Sequence, residues 1–196
     1  MSQPNFADSQ LTDEELAKRV QTGDEGALAL LMQRFEPKLM RYGNRFVGGQ
    51  GEDVLNQAIQ DIFISAYQNI EGFDTTQRFS PWIYRIAHNA FVDILRRRTK
   101  QPLYGIDFDT LVSHPIHEDL YAKEKESEEI RVLIEKGLES LTTAQREIIV
   151  LYYFEDLSYR EIADVLHLPV STVGVKLTRA RAALKKQIPN SADLLL

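Results

Sequence analysis

The chain has 196 residues, 43% hydrophobic and 27% charged, with a formal net charge of −6 and no cysteine. That length suits one ordinary domain or two small ones, the composition is that of a soluble globular protein, and no apolar run approaches the length of a membrane span. The lack of cysteine excludes disulfides and thiolate metal sites and fits a reducing cytoplasm, while the four scattered histidines offer no metal-ligand spacing.

The polar, acidic stretch Asp8 to Glu15 is not a secretory signal. Within it, Thr12-Asp13-Glu14-Glu15 is a capping box that predicts a helix start. Leu28, Leu31, Met32, Phe35 and Leu39 then recur at helical spacing, and Pro37 inside the run predicts a kink or a boundary. Glycines mark a loop from Val47 to Gly51. Next comes one apolar stripe, Val54, Leu55, Ala58, Ile59, Ile62, Phe63 and Ala66, with Gln57, Gln60, Asp61 and Ser65 opposite.

Glu71 to Pro81 breaks the pattern. A further helix follows, predicted to bury Trp82, Ile83, Ile86, Ala87, Ala90, Phe91, Ile94 and Leu95 and to expose Arg85, His88, Asn89 and Arg96. From Lys100 to about Asp119 periodicity fails among Pro102, Gly105 and Pro115, which reads as a linker. A glutamate-rich helix is expected from near Leu120 to about Glu139. Thr142 to Gln145 and Ser158 to Glu161 are two more capping boxes, and the last helix runs from Val170 to Gln187 before Pro189. The expected fold is all-α: two small helical domains, residues 11–100 and 126–188, joined by a flexible acidic linker, residues 101–125.

A net negative chain argues against nucleic acid, since phosphate binding needs local positive charge. The distribution reverses this. Arg78 to Gln101 carries +5, Pro169 to Gln187 carries +5 with no acid, and Gly105 to Glu135 between them carries −6. The C-terminal island is the second helix of a helix-turn-helix pattern: Ile162, Ala163, Val165 and Leu166, a turn at His167-Leu168-Pro169, then Val173 and Leu177 facing inward. Ala163 is small where the helices cross, and Pro169 stands where its missing amide is harmless. Such a second helix enters the major groove. Ser171, Thr172, Gly174, Val175 and Thr178 are expected nearest base edges, and Lys176, Arg179, Arg181 and Lys185 nearest phosphates. The bland alternative is a helical hairpin with a basic outer face.

In the N-terminal island, Phe73, Phe79, Trp82 and Tyr84 interleave with Arg78 and Arg85. Rings on which bases stack, beside cations that meet phosphates, suit single-stranded nucleic acid. Trp82 and Phe91 also fit the apolar stripe, and Arg96, Arg97 and Arg98 also fit a solvated helix end favoured by the helix dipole.

Two segments resemble bacterial sigma factors. Phe79-Ser-Pro-Trp-Ile-Tyr-Arg-Ile-Ala-His-Asn-Ala-Phe-Val-Asp-Ile-Leu-Arg-Arg-Arg98 is similar to the region 2 helix of that family. Leu141-Thr-Thr-Ala-Gln-Arg-Glu, Leu157-Ser-Tyr-Arg-Glu-Ile-Ala-Asp-Val-Leu and Leu177-Thr-Arg-Ala-Arg181 are similar to region 4. The space between is too short for a region 3, which resembles the extracytoplasmic-function group of the sigma-70 family.

The resemblance implies a factor that binds core RNA polymerase and directs promoter-specific transcription initiation. Asn56, Gln57, Gln60 and Asp61 would face the polymerase. Gln77, Arg78, Phe79, Ser80 and Trp82, with Arg85, His88, Asn89 and Arg96 to Arg98, would capture the melted downstream (−10) element. The helix from Val170 would read the upstream (−35) element as duplex, and an anti-sigma factor would regulate the chain. No catalytic residue, cofactor, metal or membrane insertion is implied. Departures from the family pattern are His167 where glycine is usual in the turn, and Gly174 and Val175 where a basic residue and serine are usual. A stand-alone duplex-binding regulator shares only the C-terminal motif. An enzyme lacks a phosphate loop, metal spacing and an activated nucleophile.

Overall fold

The computed structural model describes residues 10–47, 51–99 and 137–187, all in helices and their connections. The chain divides into two compact units, Met1–Arg98 and Thr99–Leu196. The expected linker and most of the expected glutamate-rich helix lie outside the described residues.

In the first unit, α1 spans Asp13–Gln21 and starts at the expected capping box: Thr12 Oγ1 accepts the Glu15 amide at 3.2 Å, and Glu15 accepts the Thr12 amide at 2.8 Å. Gly23, at φ +88°, turns the chain, and the Asp24 carboxylate caps α2 through the amides of Gly26 and Ala27. Helix α2, Glu25–Val47, continues past Pro37 without a boundary. Proline costs a helix about 3 kcal/mol, and the burial of Leu31, Phe35, Leu39 and Tyr42 on either side offsets it. Helix α3 spans Glu52–Asn69, a 3-10 turn covers Ile70–Gly72, and α4 spans Phe79–Thr99.

The core of this unit differs in register from the sequence expectation. Leu30 is buried and Met32 lies on the surface. Val54, expected on the buried stripe of α3, is 43% exposed, while Leu55, Ala58, Ile59, Ile62, Phe63 and Ala66 are buried as expected. On α4 the fully inward positions are Phe79, Ile83, Tyr84, Ala87 and Phe91. Trp82, Ile86, Ala90, Ile94 and Leu95 are only half-buried. Tyr84 faces inward because its ring meets Tyr42 edge-on, centroids 5.4 Å apart.

In the second unit, a 3-10 turn at Leu138–Ser140 leads into α5, Thr143–Tyr153, then α6, Tyr159–Leu166, and α7, Val170–Gln187. The Arg146 guanidinium ties the turn to α5 by donating to the carbonyls of Leu138 at 2.9 Å and Leu141 at 3.2 Å. Both expected capping boxes form, Thr142 with Gln145 and Ser158 with Glu161.

His167 ends α6 at φ 53°, ψ 44°, the left-handed conformation that glycine takes without strain. Its side chain is exposed. His167→Gly is therefore expected to stabilise this unit by about 0.5–1 kcal/mol, read from the urea midpoint. An unchanged or lowered midpoint would count against strain at this position.

Candidate nucleic-acid interface

Three surfaces carry the expected site residues. The first is the loop after the Ile70–Gly72 turn and the start of α4. The loop is built around Asp74, whose carboxylate accepts the Thr76 amide at 2.9 Å and the Thr76 hydroxyl at 2.7 Å. Those two bonds hold the carboxyl below its ordinary pKa. Its ends are tied to α1. The Gln21 side-chain amide donates to the carbonyls of Ile70 and Phe73, both at 2.8 Å, and Glu14 accepts the Phe79 amide at 2.9 Å.

Partial burial alone raises the Glu14 pKa. The bonds from the Phe79 amide, its own amide and the Thr12 hydroxyl, together with nearby Arg78, outweigh that and lower it, so the net shift is downward. A carboxyl with a depressed folded pKa contributes stability above its unfolded pKa and loses it as pH falls through the folded value. The stability gap between wild type and Glu14→Gln is therefore expected to close on acidification from about pH 6 to about pH 3, followed by thermal melts. Parallel curves over that range would exclude the linkage.

Phe73, Phe79 and Trp82 pack together with centroids 5.1–5.5 Å apart, and Phe79 also meets Phe35 edge-on at 5.1 Å. Phe79, expected among the contacts to the melted strand, is 2% exposed and belongs to the core. Trp82 closes the cluster from outside and stays half-exposed. Gln77 and Arg78 project from the loop, and Ser80 is half-buried. Along α4, Arg85, Asn89 and Arg96 follow Trp82 on one face at helical spacing. Arg96 sits 3.4 Å from Asp93, an exposed pair worth little. Arg97 is exposed beside it, and the side chain of Arg98 lies outside the described residues. His88 lies nearly parallel to Phe46, centroids 6.2 Å apart, which leaves one ring face toward the core.

The second surface is the outer face of α3. Asn56, Gln57, Gln60 and Asp61 are all exposed there, with the Gln57 amide donating to Asp61 at 3.0 Å. Ile64 and Tyr67 extend the same face at 55% and 52% exposure. Sequence reasoning missed both, although their spacing from Gln60 places them there.

The third surface is the helix-turn-helix. Ile162, Ala163, Val165, Val173 and Leu177 are buried between α6 and α7, and the Pro169 carbonyl accepts the Thr172 amide at 2.9 Å. Ser171, Thr178 and Arg179 are exposed, and Thr172, Val175, Lys176 and Lys185 are half-buried. Burial, then the nearby Arg179 charge, lowers the Lys176 pKa. The Thr178 hydroxyl donates to the Gly174 carbonyl at 2.9 Å.

Two expected contacts are corrected here. Gly174 is buried, so it offers no surface to a base edge. Arg181 turns inward: its guanidinium carbon stands 5.1 Å from the Tyr152 ring centre and 5.4 Å from that of Tyr153. Burial alone lowers the Arg181 pKa, but the Tyr153, Tyr159 and Tyr152 phenols outweigh it and raise the value. The signal for this was its spacing, four residues after Leu177 and three before Leu184, both fully buried.

Residues 31–101 match the family described as Sigma-70 region 2, and residues 131–184 match Sigma-70, region 4. The ECF RNA polymerase sigma factor SigW of Bacillus subtilis (strain 168) is 33% identical over 181 residues, covering 87% of this chain and 94% of that protein. The chain belongs to the ECF sigma factors of the sigma-70 family. The ECF RNA polymerase sigma-E factor of Escherichia coli (strain K12) is 34% identical over 187 residues, 91% of this chain and 95% of that one. Among solved structures, CnrH in complex with the cytosolic domain of CnrY aligns with a TM-score of 0.65 and 28% identity over 91% of this chain and 97% of its own. This sigma factor therefore directs transcription initiation by RNA polymerase and is not an enzyme. The readings as a stand-alone regulator and as an enzyme both fall. No cluster of residues suited to a metal occurs among the described residues, and no described helix is long and apolar enough to cross a membrane.

Proposed function

We propose that this sigma factor meets promoter DNA with two separate surfaces and core polymerase with a third. The region 2 domain, residues 11–100, captures the melted downstream element. Gln77 and Arg78 project from the loop to the strand, Trp82 offers the stacking face, and Arg85, Asn89, Arg96 and Arg97 line the path of its phosphates. His88 and Ser80 flank that path, and Arg98 extends it. Asn56, Gln57, Gln60 and Asp61 face the polymerase, with Ile64 and Tyr67 as the apolar part of the contact. The region 4 domain, residues 126–188, sets α7 in the major groove of the upstream element. Ser171, Thr172, Val175 and Thr178 lie along base edges, and Lys176, Arg179 and Lys185 lie along phosphates. Residues 101–125 link the two.

The observation that carries this reading is that the ring-bearing cationic face of α4 and the acid-free face of α7 belong to different units of one chain. A net charge of −6 supports dependence on polymerase, because such a chain gains little from long-range attraction to DNA alone. The factor works in the cytoplasm and is held inactive by an anti-sigma protein that covers its DNA-binding surfaces. The partner domain seated on CnrH supports that regulation.

The test is run-off transcription on fragmented genomic DNA from the source organism with core polymerase, with and without this chain. Discrete transcripts that need both components are expected, and their start sites define both promoter elements. Duplex binding by the chain alone, with no transcripts, would refute the assignment.

A further inference from the structure

The loop between the Ile70–Gly72 turn and α4 is gripped at both ends by one short helix. Glu14 and Gln21 are seven residues apart on α1, two helical turns, so they project from the same side. At the loop's start, Gln21 donates to the Ile70 and Phe73 carbonyls, across 49 and 52 residues of sequence. At its end, Glu14 accepts the amide of Phe79, across 65 residues. That amide opens α4 and has no carbonyl within its own helix to bond. The two grips bracket Asp74 to Arg78, and every residue of that stretch except Thr75 is exposed. Neither Glu14 nor Gln21 lies on the cationic face of α4, so either could act on DNA only through the loop.

We propose that Glu14 and Gln21 are positioning residues that set the geometry of the promoter-reading loop and thereby the selectivity for the downstream element. This rests on the assignment of that loop to the melted strand made above. A loop held at both ends before it meets DNA loses less freedom on capturing a base, and that difference appears as affinity for the correct strand. The Glu14 carboxylate also feels the charge of Arg78, the last exposed loop residue, which biases that side chain as well. A staple serving stability alone would change the melting temperature but leave the discrimination between strands unchanged.

The test uses the full chain assembled with core polymerase. Its probes are two single-stranded oligonucleotides: the non-template strand of the downstream element, taken from the mapped start sites, and a scrambled version. Glu14→Ala and Gln21→Ala are each expected to lower the ratio of the two affinities about tenfold, the size of one charge-assisted hydrogen bond at Glu14 or of two neutral ones at Gln21. Affinity for polymerase and for the scrambled strand is expected to stay at the wild-type value. Glu14→Gln keeps an acceptor oxygen and is expected to retain most of the ratio. Gln21→Glu sets a carboxylate against two carbonyls and is expected to behave like Gln21→Ala.

Hydrogen exchange at the Phe79 amide reports release of the loop independently of DNA, and thermal melts identify any variant that has unfolded. An unchanged ratio despite faster exchange at Phe79 overturns the proposal, as does a ratio that falls only in step with polymerase binding. A wild-type holoenzyme with no preference between the strands overturns the loop's assignment itself, and this inference with it.

Discussion

Arg181→Ala is expected to destabilise the C-terminal unit by about 2–3 kcal/mol, whereas Arg179→Ala, two residues away, is expected to leave stability within about 0.5 kcal/mol. The difference follows from direction. Arg181 lies over the rings of Tyr152 and Tyr153 at 5.1 and 5.4 Å, and its Nε is buried with no hydrogen-bond partner among the described residues. The same rings meet each other edge-on at 5.0 Å, and Tyr152 meets Tyr159 at 5.6 Å. Removing the guanidinium takes a partly desolvated cation from two faces at once and opens a gap between α5 and α7.

Arg181→Lys is expected to recover only part of the loss, because a compact ammonium does not lie flat across two rings. Arg179 is exposed, so its removal acts on DNA: the slope of log affinity against log salt for the duplex upstream element should shrink by about one unit. Urea unfolding with hydrogen exchange in α5 separates the two effects. An Arg181→Ala variant as stable as wild type, with a reduced salt slope, would return this residue to the phosphate contacts.

The second large effect is expected at Gly43. This residue is buried on α2 where α3 and α4 approach it. A Cβ there would lie 2.8 Å from Phe91 Cζ, 3.1 Å from Leu55 Cδ2 and 3.2 Å from Phe91 Cε1. The Phe91 ring is fully buried and held edge-on by Tyr42 at 5.4 Å, so it has nowhere inexpensive to go. Alanine improves helix propensity by about 1 kcal/mol, and overpacking removes that gain. Gly43→Val, with two further methyls and a branched Cβ, is expected to cost about 3 kcal/mol.

Phe91→Ala alone is expected to cost about 3–5 kcal/mol by leaving a cavity. The double variant Gly43→Val/Phe91→Ala should cost clearly less than the sum, because the valine occupies the space the ring vacates. Strictly additive energies in that cycle would show that the two positions do not share this space.

Features governed by a few neighbouring residues were legible in the chain before any fold was known. The capping boxes at Thr12, Thr142 and Ser158 all form, since each couples a residue to the one three places on. The span of α7, Val170 to Gln187, follows from Pro169 at its start and Pro189 beyond its end. The turn at His167 was readable from its place between the two periodic stretches, and the structure gives that residue a left-handed backbone. Helical spacing also put Leu55 to Ala66 on one buried stripe. The two motifs that place the chain among sigma factors are likewise contiguous in sequence.

Tertiary structure decided whatever depends on which apolar side chain finds a partner. Leu30 rather than Met32 is buried, Val54 is left outside, and Tyr84 is drawn in by Tyr42, although periodicity allows either choice at each edge of a stripe. The same holds for charge and rings at the site. Phe79 belongs to the core because Phe35 and Phe73 surround it, and Arg181 turns inward because two tyrosines of another helix wait there. Glu14 and Gln21 meet the loop before α4 across 49 to 65 residues, and no local pattern announces a pairing between one carboxylate and one distant amide. The sequence by itself determined the helices, their caps and the family, because those rest on short-range geometry. Which side chains face DNA and which hold the loop were decided only by packing, because burial depends on the whole fold.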